Sequence, residues 1–135
     1  MDLLMENKLV VQRFNREVVQ GTNRQIFEEL MHPNFINHSA PIHAQTSEGM
    51  WNTFFNISKP AFPDLQVTIL DQVAEGDLVT TRKVIPGTHL GKLFDIEPTG
   101  KKIEINVIDI VRIREGKYFE HWGLNTFEKV IAELS

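Results

Sequence analysis

The stretch "INVIDIVRIREGKYFEHWGL", residues 105–124, decides the fold. Ile105, Val107, Val111 and Ile113 alternate, as the period of two in a β-strand requires, so these residues share one buried face. Asp109 falls on that face. A carboxylate among branched aliphatics is costly to ionise without a compensating partner. The "REGK" turn sets what lies opposite it. A two-residue Glu115-Gly116 loop places Trp122 beside Asp109 and forces Glu115 to positive φ, which is unfavourable. A three-residue loop, Arg114-Glu115-Gly116 with Gly116 left-handed, places Phe119, His121 and Gly123 there instead. The second reading suits the glycine better. It makes Asp109 and His121 neighbours that compensate each other and can move a proton.

Working outward, the chain before this strand also reads as sheet. Leu65, Val67 and Ile69 alternate, "AEGD" at 74–77 is a turn, and "LVTTRKVI" at 78–85 is a strand. Pro86-Gly87 marks a break or bulge near its end. The 91–100 stretch, within "GKLFDIEPTGKK", is a rim loop with exposed Leu93 and Phe94. The first half of the chain reads as helical. Val10 or Val11, Phe14 and Val18 form one helical face that Gly21 stops. Thr22 and Gln25 make a capping-box pattern for a second helix, which ends at Pro33. "NFINHSAPIHAQ" is irregular and polar. A third helix carries Met50, Trp51, Phe54 and Phe55, with Thr46 or Ser47 as cap. "TFEKVIAEL" closes the chain as an amphipathic helix. Helices followed by an antiparallel meander give a single α+β domain over 1–135. Its natural packing is a curved sheet wrapped around about three helices, enclosing a cone-shaped cavity.

Composition restricts the function. The 135 residues carry a formal net charge of -4, no cysteine, and no basic cluster beyond "GKK" at 100–102. Disulfides, thiol nucleophiles and Cys-bound metals are excluded, and nucleic-acid binding is disfavoured. No apolar run is long enough to span a bilayer, and "MDLLMENK" does not read as a secretory signal. A cytoplasmic protein is expected. His32, His38 and His43 share no helical face, so no metal site is expected. No phosphate loop, dinucleotide fingerprint or nucleophile elbow is present. The chemistry that remains is cofactor-free acid–base work in an apolar cavity. Asp109 and His121 are the candidate catalytic pair. His38, Arg82, His89, Phe94, Trp122 and Asn125 are candidate ligand contacts, and Arg82 is an alternative partner for Asp109. Ile108, Ile110, Trp122 and Leu124 lie on the opposite, outer face, an apolar patch that a second copy of the chain would cover.

Residues 87–126 resemble the second half of the SnoaL-like polyketide cyclase family. The matching features are "G-x-H-x-G", "P-T-G-K", "I-D-I-x-R", "G-K" and "E-H-W-G", with "HPNF" and "FPDL" earlier in the chain. That family is similar to nuclear transport factor 2 in fold. The resemblance implies a cone-shaped α+β barrel, a dimer or larger assembly, and ring closure on polyketide esters by an intramolecular aldol step without a cofactor. Cyclising members place a catalytic Asp on the last strand, where this chain has Gly123. Many others place one two residues later, at Asn125 here. The expected function is therefore a polyketide or ester cyclase using Asp109 in their stead. The alternatives are an isomerase or dehydratase, or a non-catalytic binding or dimerisation domain.

Overall fold

A computed structural model describes residues 2–135. The chain folds as an α+β domain with four helices and a five-stranded mixed sheet that does not close. Helix α1 spans Leu3–Phe14 and begins where the Asp2 side chain accepts the Met5 N–H (2.8 Å). It continues without a break into a wider π-helical segment, Asn15–Gln20. The helix does end at Gly21, through close contact rather than left-handed geometry. A Cβ there would lie 2.8 Å from the Glu17 carbonyl oxygen. Thr22 is the left-handed residue (φ +46). It therefore cannot serve as the expected cap. Asn23 caps α2 (Arg24–Leu30) instead, accepting the Ile26 N–H. Thr46 caps α3 (Ser47–Asn52) as the sequence suggests, and this helix also widens, over Thr53–Ser58, before the short turn Lys59–Ala61. Helix α4 spans Phe127–Leu134.

The strands are β1 Met31–Asn37, β2 Thr68–Glu75, β3 Leu78–Thr88, β4 Lys102–Arg114 and β5 Lys117–Asn125, in the order β1-β5-β4-β3-β2. β1 corrects the sequence reading, which left the residues after Pro33 irregular. Met31 and Phe35 are buried, and the strand pairs with β5 in parallel at the sheet edge. Proline is tolerated there because an edge N–H needs no ladder partner. Pro86-Gly87 does not break β3 either. Its register with β4 runs unshifted from Leu78↔Arg112 to Thr88↔Lys102. Gly87 instead allows close packing, since a Cβ there would stand 3.1 Å from the Phe62 Cβ. In the 91–100 loop Leu93 is buried rather than exposed, and it exchanges backbone hydrogen bonds with Ile96.

The β4–β5 hairpin departs from the favoured reading and then arrives at the same face. Arg114 pairs with Lys117, so the loop has two residues. Glu115 (φ +54) and Gly116 (φ +74) are both left-handed. Continued unshifted, this register would set Asp109 opposite Trp122. An extra residue, Phe119, interrupts it. Ile113 pairs with Tyr118, but Arg112 pairs with Glu120. The bulge turns the rest of β5 over, and Asp109 pairs with Gly123. Phe119 itself leaves the face expected for it. It packs against the His32 ring (4.8 Å between centroids) and under the Arg114 guanidinium (3.9 Å).

The inner face of the sheet packs on the helices. Val11, Phe14, Val18, Phe27, Val79 and Val111 are nearly or fully buried, and Phe14 stacks on Tyr118 at 4.1 Å. Each such side chain stabilises the fold by about 1.5–3 kcal/mol. Met50 belongs to this core, Trp51 and Phe54 pack against it, and Phe55 is half exposed against the Trp51 ring. No helix among the described residues is long and apolar enough to cross a membrane. The turn generates a prediction. Glu115 holds a left-handed backbone that costs a non-glycine residue about 1–2 kcal/mol, and asparagine tolerates it best. Glu115→Asn should therefore raise stability by about 1 kcal/mol, a thermal midpoint gain of about 2–5 °C by calorimetry.

Candidate active site

Between the inner sheet face and the helices lies a cavity of about 340 Å³. Phe14, Met50, Phe54, Phe62 and Phe127 supply its apolar wall. Both π-helical segments contribute to it, through Val19 and through Thr53, Phe54 and Ser58. Its polar residues gather on the sheet side and around the segment after β1.

Asp109 sits at the middle of β4, flanked by Thr81 on β3 and Gly123 on β5. It is buried, and its Oδ2 lies 3.3 Å from His121 Nε2 and 3.5 Å from Lys83 Nζ. Its Oδ1 is buried with no hydrogen-bond partner. Burial pushes this carboxyl upward. The Lys83 ammonium and the hydrogen bond from His121 outweigh it and hold Asp109 below the ordinary carboxylate range. The net effect favours the anionic form of Asp109. Lys83 is equally buried, and its ammonium donates to Asn15 Oδ1 at 2.5 Å. Asn15 is oriented by its own Nδ2, which donates to the Val11 carbonyl.

His121 meets an acceptor at each ring nitrogen. Nδ1 faces Asn37 Oδ1 at 2.9 Å and Nε2 faces Asp109 Oδ2. Asn37 Oδ1 also receives the Ser39 N–H, which fixes it as the oxygen. Each ring nitrogen thus lies within reach of an oxygen that can accept a hydrogen bond. Gly123 makes room for it. A Cβ at 123 would lie 2.9 Å from His121 Cε1 and 3.3 Å from Asp109 Cβ. A side chain at 123 and this placement of His121 exclude each other. Tyr118 completes the polar wall. Burial, with the nearby Asp109 charge, pushes its phenol well up, so it stays neutral.

The structure brings three of the eight expected site residues to the cavity: Asp109, His121 and Asn125, whose Oδ1 also accepts the Phe127 N–H. His38 lies on the other side of the sheet, its Nε2 2.8 Å from Glu120 and its ring stacked on Trp122 at 4.9 Å. Its neighbours line the cavity instead, Asn37 from the end of β1 and Ser39 from the turn that follows. Trp122 is outside too, under the Arg112 guanidinium. Arg82 pairs with Asp71 on the exposed surface rather than with Asp109. His89 is neither at the cavity mouth nor exposed. It is fully buried against Phe62, with Nδ1 hydrogen-bonded to Thr99 and Nε2 unpartnered. Phe94 does not line the cavity. It is 56% exposed and its ring meets that of Phe127 at 6.4 Å. Sequence reasoning missed Lys83, although the signal matched that of Asp109. Val79, Thr81, Lys83 and Ile85 alternate on one face, with a charged residue between aliphatics.

Residues 9–129 match the model of the SnoaL-like polyketide cyclase family. Among solved structures, the chain is similar to IdmH of Streptomyces antibioticus, a candidate polyketide cyclase. The identity is 27% and the TM-score 0.80, covering 95% of this chain and 97% of that one. It is also similar to a candidate polyketide cyclase of Bacillus cereus, at 28% identity and TM-score 0.80 over 96% of this chain and 80% of that one. AclR of Streptomyces galilaeus, a candidate hydroxylase, shares the fold at 22% identity and TM-score 0.83, covering 97% of this chain and 85% of that one. No curated protein matches the chain.

The charged pair yields a stability prediction. Asp109 is depressed in the folded state, so its contribution is present above the unfolded carboxylate pKa of about 3.9 and fades as pH falls through the lower folded value. Lys83→Met strands the carboxylate and should cost about 3 kcal/mol in urea denaturation at pH 7. Lys83→Met with Asp109→Leu should recover most of that loss and flatten the acid limb of stability.

Proposed function

The chain belongs to the SnoaL-like polyketide cyclase family, and we propose that it is a cofactor-independent acid–base enzyme closing rings on a small apolar carbonyl compound by an intramolecular aldol step. One observation carries this reading. Asp109 is the direct cross-strand partner of Gly123, the position at which the resemblance implies a catalytic Asp. The carboxylate reaches the same part of the cavity from the adjacent strand. The bare glycine leaves the space that the His121 ring occupies. Ionised Asp109 removes a proton from the carbon beside a carbonyl, and the resulting enolate carbon attacks a second carbonyl of the same molecule. His121, donating from its ring, protonates the alkoxide so formed. The aromatic wall excludes water and holds the apolar body, while Asn37, Ser39 and Asn125 face its polar end. A second reading, a non-catalytic small-molecule-binding domain, is favoured by the hold of Lys83 on Asp109, since a depressed pKa makes a weaker base.

The test does not need the natural substrate. The protein should accelerate exchange of the α-protons of acetophenone for deuterium, followed by NMR. Asp109→Asn should lower that acceleration about a hundredfold. The rate should hold down to pH values below the ordinary carboxylate range, because the active form of Asp109 is the anion. No acceleration by the wild type would overturn the enzymatic reading.

We also propose that the working form is a homodimer through the outer sheet face. Ile108 and Leu124, the latter 81% exposed, stand there beside Ile110 and Trp122. The flanking Arg82 and Asp71 supply both signs of charge. Such a patch is complementary to itself, as a twofold interface requires. Leu124→Glu with Ile108→Glu should convert the dimer to a monomer by light scattering at micromolar concentration, with the helical circular dichroism retained.

A further inference from the structure

We propose that Lys83 is the oxyanion-binding residue of the cavity, its ammonium receiving the ligand oxygen on which negative charge gathers when a carbonyl compound enolises. The inference rests on the reading of Asp109 as proton acceptor and adds to it a residue that neither the acid–base step nor the family resemblance requires. Lys83 has three donors. One is committed to Asn15 Oδ1 at 2.5 Å, and Asn15 is itself held by the Val11 carbonyl. A second faces Asp109 Oδ2 at 3.5 Å, beyond the length of a good hydrogen bond. Among the described residues no other acceptor meets this ammonium, and the side chain lines the cavity. The orphaned Oδ1 of Asp109 lies in the same wall. The deep end thus presents an unmatched donor beside an unmatched acceptor. A ligand completes both by offering an acidic hydrogen to Asp109 and an oxygen to Lys83. That describes an enolisable ketone or a phenol.

The charge balance also favours this assignment. At rest, Lys83 is the counter-ion of Asp109. When Asp109 takes the α-proton, the C–H electron pair becomes the C=C bond and the carbonyl π pair moves onto oxygen. The negative charge passes from Asp109 to that oxygen, and Lys83 remains its counter-ion with no change in the number of buried charges. The other groups facing this point are His121 and the neutral Tyr118 from β5 and Asn15 from the first π-helical segment.

Asp109→Asn mimics the protonated carboxyl and so prepares the cavity for an anion. The probe is 4-nitrophenol, whose phenolate absorbs separately from the phenol. The Asp109→Asn protein should bind the phenolate and lower the pKa of the bound probe by at least one unit. Adding Lys83→Met should weaken phenolate binding at least tenfold and abolish that shift. Lys83→Gln in the same background, whose neutral amide can still meet Asn15, should do the same and decides the matter if the Met variant does not fold. The proposal is overturned if the phenolate binds equally without Lys83, if Asp109→Asn takes only the neutral phenol, or if it takes neither form. Phenolate binding through Lys83 together with unchanged proton exchange in Asp109→Asn would sink the catalytic role of Asp109 and leave this one standing.

Discussion

The structure turns on one buried charge. Asp109 stands on the inner face of the central strand, where the rest of that strand is aliphatic, and the fold supplies two partners for it from two different strands. Lys83 arrives from β3 and His121 from β5. Each is in turn held by an asparagine, Asn15 from the first π-helical segment and Asn37 from β1. This network spans four of the five strands, β1 to β3 in sheet order, and ties them to the π-helical segment after α1. An ion pair of this kind contributes little net stability against a hydrophobic replacement, because desolvation offsets most of the attraction.

The local devices around the network serve that geometry. The β4–β5 turn is the tight two-residue form and accepts a strained Glu115. Taken alone, it would point Trp122 at Asp109. One inserted residue, Phe119, reverses the face of everything beyond it and delivers His121 and Gly123 instead. Bulges commonly re-aim side chains beside functional sites, and here the consequence is specific: an imidazole lies over a glycine, opposite a carboxylate. The two π-helical segments act similarly on the other wall. Widening a helix by one residue per turn is costly and found most often at functional sites. Both segments border the cavity.

Inside and outside of the sheet divide the chain's polar residues into two groups with different roles. The inner group, Lys83, Asp109, His121 and Tyr118, is sparse and enclosed by aromatics. The outer group, Asp77, Arg112, Glu120 and His38, forms a chain of surface ion pairs and hydrogen bonds beside Trp122. Arg112 binds Asp77 and Glu120 together, which braces the hairpin from behind. Pairs this exposed are worth little individually, about 0–1 kcal/mol.

Much of this was legible in the residues. Period-two alternation exposed Asp109 as interior, periodic apolar positions placed the helices, and the change of period at Leu65 separated helices from sheet. The motifs between 87 and 126 carried the family. What failed had more than one cause. Facing depends on register, and register changes with each inserted residue, which no local pattern records. Arg82 and Trp122 each lie one position along a strand from a residue that lines the cavity, Lys83 and His121, and alternation turns them outward. β1 was invisible because an edge strand needs few ladder bonds and tolerates the proline that reads as a break. Lys83 carried the same alternation signal as Asp109, but only packing shows that a charge on the next strand lies within reach. Local chemistry thus determined most of the helices, the three long strands and the inward face of β4. The partners of each buried charge were decided by the bulge at Phe119 and by the parallel pairing of β1, both long-range features of the sheet.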